Sequence, residues 1–222
     1  MIRAAATTMV ALCMAATAQA QTSVDGLAFS IVTDLDYAAP RPFGYLQPTA
    51  RVGSYGALLE WQIGVAEFDL RGLAAGDATL SFHYATGARN DPAGSADRAP
   101  RGEITVNAYS GDNVAAFSDY GAPSLGTLGS FDLATRTVGD VLTFNVTSLL
   151  SGAVARGDHA LGIRLIPQYT RQVADFTFTT YDSFVLGVVS AVPEPARGTL
   201  LLAGLGVTGW LAGRRRGAAL IA

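Results

Sequence analysis

Few side chains in this 222-residue chain could carry acid–base chemistry. The two histidines are His83 and His159, and the interior glutamates are Glu60, Glu67 and Glu103. Two carboxylates about 5 to 5.5 Å or about 6.5 to 9.5 Å apart could hydrolyse a glycosidic bond. However, alternation places His83 on the solvent side of a strand, His159 falls in a turn, and we expect each glutamate to be an exposed strand residue. The sequence therefore predicts a protein that is not an enzyme and makes a glycan-active enzyme the third hypothesis.

Even fewer residues could bind a metal or supply a reactive thiol. The single cysteine, Cys13, lies in an N-terminal segment that we expect to be removed. Asp34 and Asp36 have the spacing that begins a calcium loop, but Ala38 and the lack of a following glycine break the pattern. We therefore predict no cofactor and no metal site, and leave a structural calcium open.

Aromatic side chains offer better material for binding. The candidates for stacking against a ligand are Tyr37, Phe43, Tyr45 and Tyr55, in a long segment that contains prolines. Sugars stack their apolar faces on aromatic rings while nearby polar groups bind the hydroxyls. Alternatively, these rings cover one end of the fold as part of its core.

Alternating apolar and polar residues predict half-buried strands in the middle of the chain. The predicted strands are 27–34, 57–63, 65–70, 78–84, 104–109, 142–146, 161–166, 173–179 and 183–189, and a short helix is predicted over 147–156. Short strands between Gly, Asp and Pro clusters indicate an all-β fold, an antiparallel β-sandwich or jelly roll. Residues 21–194 carry ten arginines, no lysine and eighteen acidic residues, a net charge of −8. This charge disfavours nucleic acid as a partner.

The N-terminus has the pattern of a secretory signal peptide over residues 1–20. A positive start at Arg3 precedes an apolar stretch, and Ala18 and Ala20 form an A-x-A cleavage site before Gln21. We expect the mature chain to begin at Gln21 and to form a β-sandwich domain over residues 21–190.

The C-terminal segment, 191–217, combines three features. A proline-bracketed acidic motif, an apolar run over 198–213 and a basic stop follow one another; the motif is Val192, Pro193, Glu194 and Pro195, and the stop is Arg214, Arg215 and Arg216. Sixteen helical residues would measure about 24 Å, less than the ~30 Å hydrocarbon core. The sequence therefore predicts a single, marginal transmembrane helix whose arginines stay on the cytoplasmic side.

This order of features resembles the PEP-CTERM sorting signal. The resemblance implies export in a Gram-negative bacterium, a transient inner-membrane intermediate held by 198–213, and processing by an exosortase. It also implies a final place at the cell surface or in the extracellular matrix, among exopolysaccharide and biofilm components.

Two strand motifs resemble the jelly-roll modules grouped with DNRLRE-type carbohydrate-binding domains. They are the stretch 67–73 with the strand after it, and the stretch 140–148 before the predicted helix, although the Asp-Asn-Arg-Leu-Arg-Glu string is absent. We therefore expect a non-catalytic surface or matrix protein, and keep a module that binds extracellular polysaccharide as the alternative.

Overall fold

The computed structural model describes residues 19–34, 42–46, 48–55, 60–90, 102–168 and 176–191. In these ranges the protein is mostly antiparallel β-structure, as the alternation predicts. The strands are β1 (Gln19–Asp25), β2 (Leu27–Asp34), β3 (Pro42–Leu46), β4 (Ala50–Tyr55), β5 (Glu60–Asp69), β6 (Asp77–Asn90), β7 (Glu103–Gly111), β8 (Ser124–Asp132), β9 (Val141–Asn145), β10 (Ala160–Pro167) and β11 (Phe176–Ala191). The helices are α1 (Ser118–Gly121) and α2 (Thr147–Arg156), and a 3₁₀ turn spans Leu133–Thr135. Gln21–Ser190 forms a compact unit of its own.

The strands join into one sheet in the order β8-β7-β10-β5-β4-β11-β6-β9. Each neighbouring pair along this order is antiparallel. In addition, β2 pairs with both β5 and β3, and β1 pairs with β11. Many neighbours, such as β10 and β5, are far apart in the sequence, so the sheet depends on long-range pairing.

Strand β5 connects the two halves of the sheet. Its residues 60–62 pair with β4, whereas residues 64–69 pair with β10. Along the opposite edge, β2 pairs with residues 60–67. β5 is therefore a central strand with a neighbour on each edge, and this position fixes the side chains of the site described below.

Aromatic rings bring the two ends of the strand order together. The ring of Phe131 in β8 lies 6.3 Å from that of Phe82 in β6 and 6.0 Å from that of Tyr181 in β11. The Phe144 ring of β9 is 6.5 Å from Phe131. Because β8 and β9 are the first and last strands of the order, the sheet is nearly closed around one large hydrophobic core.

Helix α2 spans the residues that the sequence predicts. Its first turn is fixed by Asn145, whose Oδ1 accepts the N–H of Thr147 at 3.0 Å, and its buried face carries Leu150 and Ala153. It ends at Gly157, which has a left-handed φ of 75° and donates its N–H to the last carbonyls of the helix. This tight end turns the chain directly into β10.

Some predicted strand boundaries are wrong. The two strands predicted over 57–63 and 65–70 both overlap the single strand β5, and those predicted over 173–179 and 183–189 both overlap the single strand β11. A bulge between Asp182 and Val185, with Ser183 at a φ of 53°, shifts the alternation of β11. As a result Tyr181 and Phe184 both face the core, which a strict period of two would not allow.

Among the described residues, no helix is both long and apolar enough to span a membrane. The predicted transmembrane segment, 198–213, lies outside those residues, as does most of the predicted signal peptide.

Candidate functional site

The side chain of Glu67 is fully buried on the outer face of β5, the face turned away from the main core. Its Oε1 accepts the phenolic O–H of Tyr109 at 2.6 Å. Its Oε2 accepts the backbone N–H groups of Asp112 and Val114, each at 3.2 Å, and that of Asn113. Four donors therefore replace the water that the carboxylate loses on burial.

The loop after β7 is shaped to hold this carboxylate. Asn113 adopts a left-handed φ of 64°, which asparagine tolerates better than most residues, and three successive N–H groups converge on one oxygen. Gly111 is required beside them, because a Cβ there would lie 2.6 Å from Oε1 of Glu67. The loop is thus fixed by a strand 45 residues earlier in the chain.

Tyr109 and Arg164 complete the buried arrangement. The Tyr109 ring packs directly over Gly162, where any Cβ would overlap it. The guanidinium of Arg164 lies 5.0 Å from the centre of that ring. It donates hydrogen bonds to the carbonyls of Asp119, Tyr120 and Ala122, at 3.3, 2.7 and 2.9 Å. A buried cation on β10 therefore fixes α1 and the residue after it against the sheet.

Burial raises the pKa of two carboxyl groups near Tyr109 and Arg164, those of Asp119 and Glu67. Asp119 is 4% exposed, and its Oδ2 accepts the N–H of Ala116 at 2.9 Å. Desolvation, with a smaller contribution from the charge of Glu67, raises the pKa of Asp119 to about 6. Desolvation also raises the pKa of Glu67, while the hydrogen bonds from Tyr109 and Asn113 oppose the shift. We call Glu67, Tyr109, Asp119 and Arg164 the Glu67 network.

Carboxylate oxygens of Glu67, Asp112 and Asp119 lie within 4.8 Å of one another, a spacing that could hold a cation. However, both oxygens of Glu67 already accept hydrogen bonds, and Oδ1 of Asp112 accepts the N–H of Val114 at 2.9 Å. Calcium takes about six to eight oxygen ligands, so it would have to displace these donors. We therefore assign no metal to the cluster.

An open pocket of about 460 Å³ lies beside the same loop. Loop residues 111–114 form one wall, and Asp69, Arg71 and His159 line the remainder. His159 is placed there by its backbone, because its carbonyl accepts the N–H of Leu70 at 2.9 Å.

Asp69 and Arg71 form a closely paired acid and base at the edge of this pocket. The Arg71 side chain donates from Nε to Oδ1 at 2.9 Å and from Nη2 to Oδ2 at 2.5 Å. These hydrogen bonds lower the pKa of Asp69 to about 2. The carboxylate is therefore ionised at any pH near neutrality and points Arg71 in a defined direction.

The aromatic residues proposed for stacking lie mostly where the structure describes little. Tyr37 is outside the described residues. Phe43 and Tyr45 lie on β3, and Tyr55 ends β4, but only their backbone pairing is described: Tyr45 faces Ile31 of β2 across the ladder. β3 and β4 are not neighbours in the sheet, and the stacking hypothesis stays a prediction.

The sorting and processing residues also remain predictions. The motif 192–195, the basic stop 214–216 and Ala18 are outside the described residues. Ala20 and Gln21, at the predicted cleavage site, lie in β1.

Sequence reasoning missed the Glu67 network. Glu67 is buried, so the expectation that it is exposed was wrong, whereas Glu103 and His83 are exposed as expected. The reason is that residues 112–123 cover the outer face of β5, where Ile63 and Val65 form a second small core with Tyr109. A signal was present in the run from Ile63 to Ala66, because a strand with one solvent-facing side would carry polar residues there and this strand carries none.

No protein-family model matches the chain, and no curated protein is significantly similar to it.

Proposed function

We propose that this chain is a secreted, non-catalytic protein of the cell surface or exopolysaccharide matrix, sorted by an exosortase. The observation that carries the proposal is the order of the motif 192–195, the apolar run 198–213 and the arginines 214–216. In this proposal, residues 1–20 direct export, and the apolar run holds an inner-membrane intermediate. Processing at the motif then releases the domain or attaches it to the surface of a Gram-negative bacterium.

The folded domain is consistent with this role. We assign the nearly closed antiparallel sheet to the β-sandwich or jelly-roll class, in which short strands enclose one core and few strand edges remain open. Its stability needs no disulfide, because the single cysteine, Cys13, lies in the predicted signal peptide.

The buried position of Glu67 supports a non-catalytic role. A glycosidase needs two carboxyl groups that contact the glycosidic bond from either side. Glu67 is fully buried and bound by four donors, so it cannot touch a polysaccharide without opening the loop. A glycan-active enzyme is therefore the weakest of the three hypotheses.

The test is the intact mass of the protein recovered from membranes and from medium of a host that carries an exosortase. We expect the mature product to lack residues 1–20 and the residues after the motif. Glu194→Ala should accumulate as a membrane-bound form that keeps Arg214, Arg215 and Arg216, because the motif is the processing signal.

Glu103→Ala is the matched control, since it removes an exposed glutamate from β7 of the folded domain. It should mature as the unchanged chain does. Normal processing of Glu194→Ala would contradict the sorting proposal, and equal retention of both variants would point to a folding defect instead of a sorting signal.

A further inference from the structure

We propose that the pocket formed by Asp69, Arg71, Asp112, Asn113 and His159 binds a neutral glycan directly through its hydroxyl groups. This inference rests on the proposed extracellular role. It places the glycan site at the end of β5 instead of at the aromatic residues of 37–55 that the sequence suggested.

The size and the chemistry of the pocket fit a sugar. Ligand pockets commonly measure about 300 to 1,000 Å³, and this one measures about 460 Å³. A sugar hydroxyl both donates and accepts hydrogen bonds. The pocket offers acceptors in Asp69 and Asp112, donors in Arg71, and both kinds of group in the Asn113 amide and the His159 imidazole.

The charge of the pocket favours a neutral ligand over an anionic one. Asp69 and Asp112 contribute two negative charges and Arg71 one positive charge, while the two Asp69 oxygens already neutralise that guanidinium. An anionic polysaccharide would meet excess negative charge, which costs association rate and affinity. A neutral sugar avoids this repulsion and can still bind carboxylate oxygens through its hydroxyls.

The loop wall of the pocket is fixed before any ligand arrives. The N–H groups of Asp112, Asn113 and Val114 all donate to Glu67, which is itself buried. The same residues line the pocket with a backbone that needs no ordering on binding, which reduces the entropy loss. Val114, 58% exposed, adds an apolar surface at the rim.

The chain supplies a matched control for Arg71 and another for His159. Arg156 and Asp158 form a second ion pair between residues two apart, with Nη2 2.6 Å from Oδ2, outside the pocket lining. His83, the other histidine, is exposed on β6 and also lies outside the lining. Arg156→Ala and His83→Ala thus match Arg71→Ala and His159→Ala in chemistry but not in position.

The experiment is affinity electrophoresis of the full chain in detergent, with dextran, galactomannan or hydroxyethylcellulose as neutral probes and alginate as the anionic probe. We expect retardation by at least one neutral probe. Arg71→Ala and His159→Ala should each weaken the apparent Kd about tenfold, the effect of losing a charge-assisted hydrogen bond. Their controls should stay within about twofold of the unchanged chain.

Several outcomes would overturn the proposal. These are no retardation by any neutral probe, equal losses in the pocket variants and their controls, retardation by alginate alone, and binding that disappears with a chelator.

As a check on folding, Asn113→Gly removes the amide while keeping the left-handed backbone and the N–H to Glu67, and it should weaken binding at unchanged Tm. Processing is read from intact mass, so a failure of glycan binding is distinguishable from a failure of the sorting proposal.

Discussion

The two faces of β5 are built on different principles. On the inner face Ala66 and Phe68 pack into the main hydrophobic core, together with residues from both halves of the sheet. On the outer face Ile63 and Val65 belong to a second, small apolar cluster, and Glu67 follows them in a network of hydrogen bonds. Both faces are buried. The inner face is stabilised by the burial of apolar surface, whereas the outer face also depends on hydrogen bonds between buried polar groups.

This difference separates stability from function within one strand. The inner face can be filled by any well-packed apolar residue, because dispersion and desolvation have little directional preference. The outer face specifies one conformation of the loop 112–114, since three successive backbone donors must converge on one carboxylate oxygen. A strand with one face of each kind holds the domain together and fixes the wall of the pocket.

The largest effect is expected on the inner face. Phe68→Ala removes a fully buried ring and leaves a cavity, so the free energy of unfolding should fall by about 3 to 5 kcal/mol. Phe68→Leu should lose less, because it keeps most of the apolar contact. Urea titration of both variants measures this, and a loss below about 1 kcal/mol for Phe68→Ala would show that the core collapses around the site.

An intermediate effect is expected on the outer face. Glu67→Ala leaves the Tyr109 hydroxyl and the N–H groups of Asp112 and Asn113 without their acceptor, and should lower the free energy of unfolding by about 2 to 4 kcal/mol. Glu67→Gln keeps an acceptor oxygen of the same shape and should lose much less. If the two variants were equally unstable, the charge and not the geometry would be the stabilising feature.

The smallest effect is expected for Asp119→Asn. At neutral pH this substitution should raise the free energy of unfolding, whereas the two preceding substitutions lower it. The folded-state pKa of about 6 lies above the ordinary 3.8, so the folded protein binds more protons between these values. Stability from this group is therefore complete below about pH 3.8 and falls as pH rises to about 6, by at most about 3 kcal/mol. Asp119→Asn keeps an acceptor for Ala116 and removes this dependence.

We expect Asp119→Asn to be about 1 to 2 kcal/mol more stable than the unchanged chain at pH 7 and nearly equal to it at pH 4. Glu67, whose pKa is also raised, remains in both proteins and gives the residual slope. Denaturant unfolding at pH 4, 5, 6 and 7 provides the comparison. A variant less stable than the unchanged chain at pH 7 would mean that the ionised carboxylate is favourable.

Local patterns predicted the elements that local forces determine. The bounds of α2 follow from an asparagine before the first turn and Gly157 after the last, and those of β2 follow from an apolar-rich run that starts after Gly26 and ends at Asp34. The all-β class and the antiparallel pairing were predicted on the same grounds. Each of these signals lies within a few residues of the element it defines.

The pocket could not be predicted because long-range pairing assembles it. Asp69 and His159 meet only because β10 pairs with β5, with Ala160 opposite Asp69. The burial of Glu67 depends on the chain between β7 and β8 folding over the outer face of β5. Neither the pairing of β10 with β5 nor the position of the covering loop has a signature in a window of ten residues, whereas the bulge at Ser183 marks where even a regular alternation fails.

The pairing of β7 with β8 shifts register twice, between Val106 and Asn107 and between Ala108 and Tyr109. β8 therefore ends the strand order as an irregular edge, and the ring of Phe131 turns it toward β9. A strand from a second molecule needs a straight row of backbone donors and acceptors to extend a sheet. This edge offers a poor template for such addition, so the domain has little opportunity to aggregate through it.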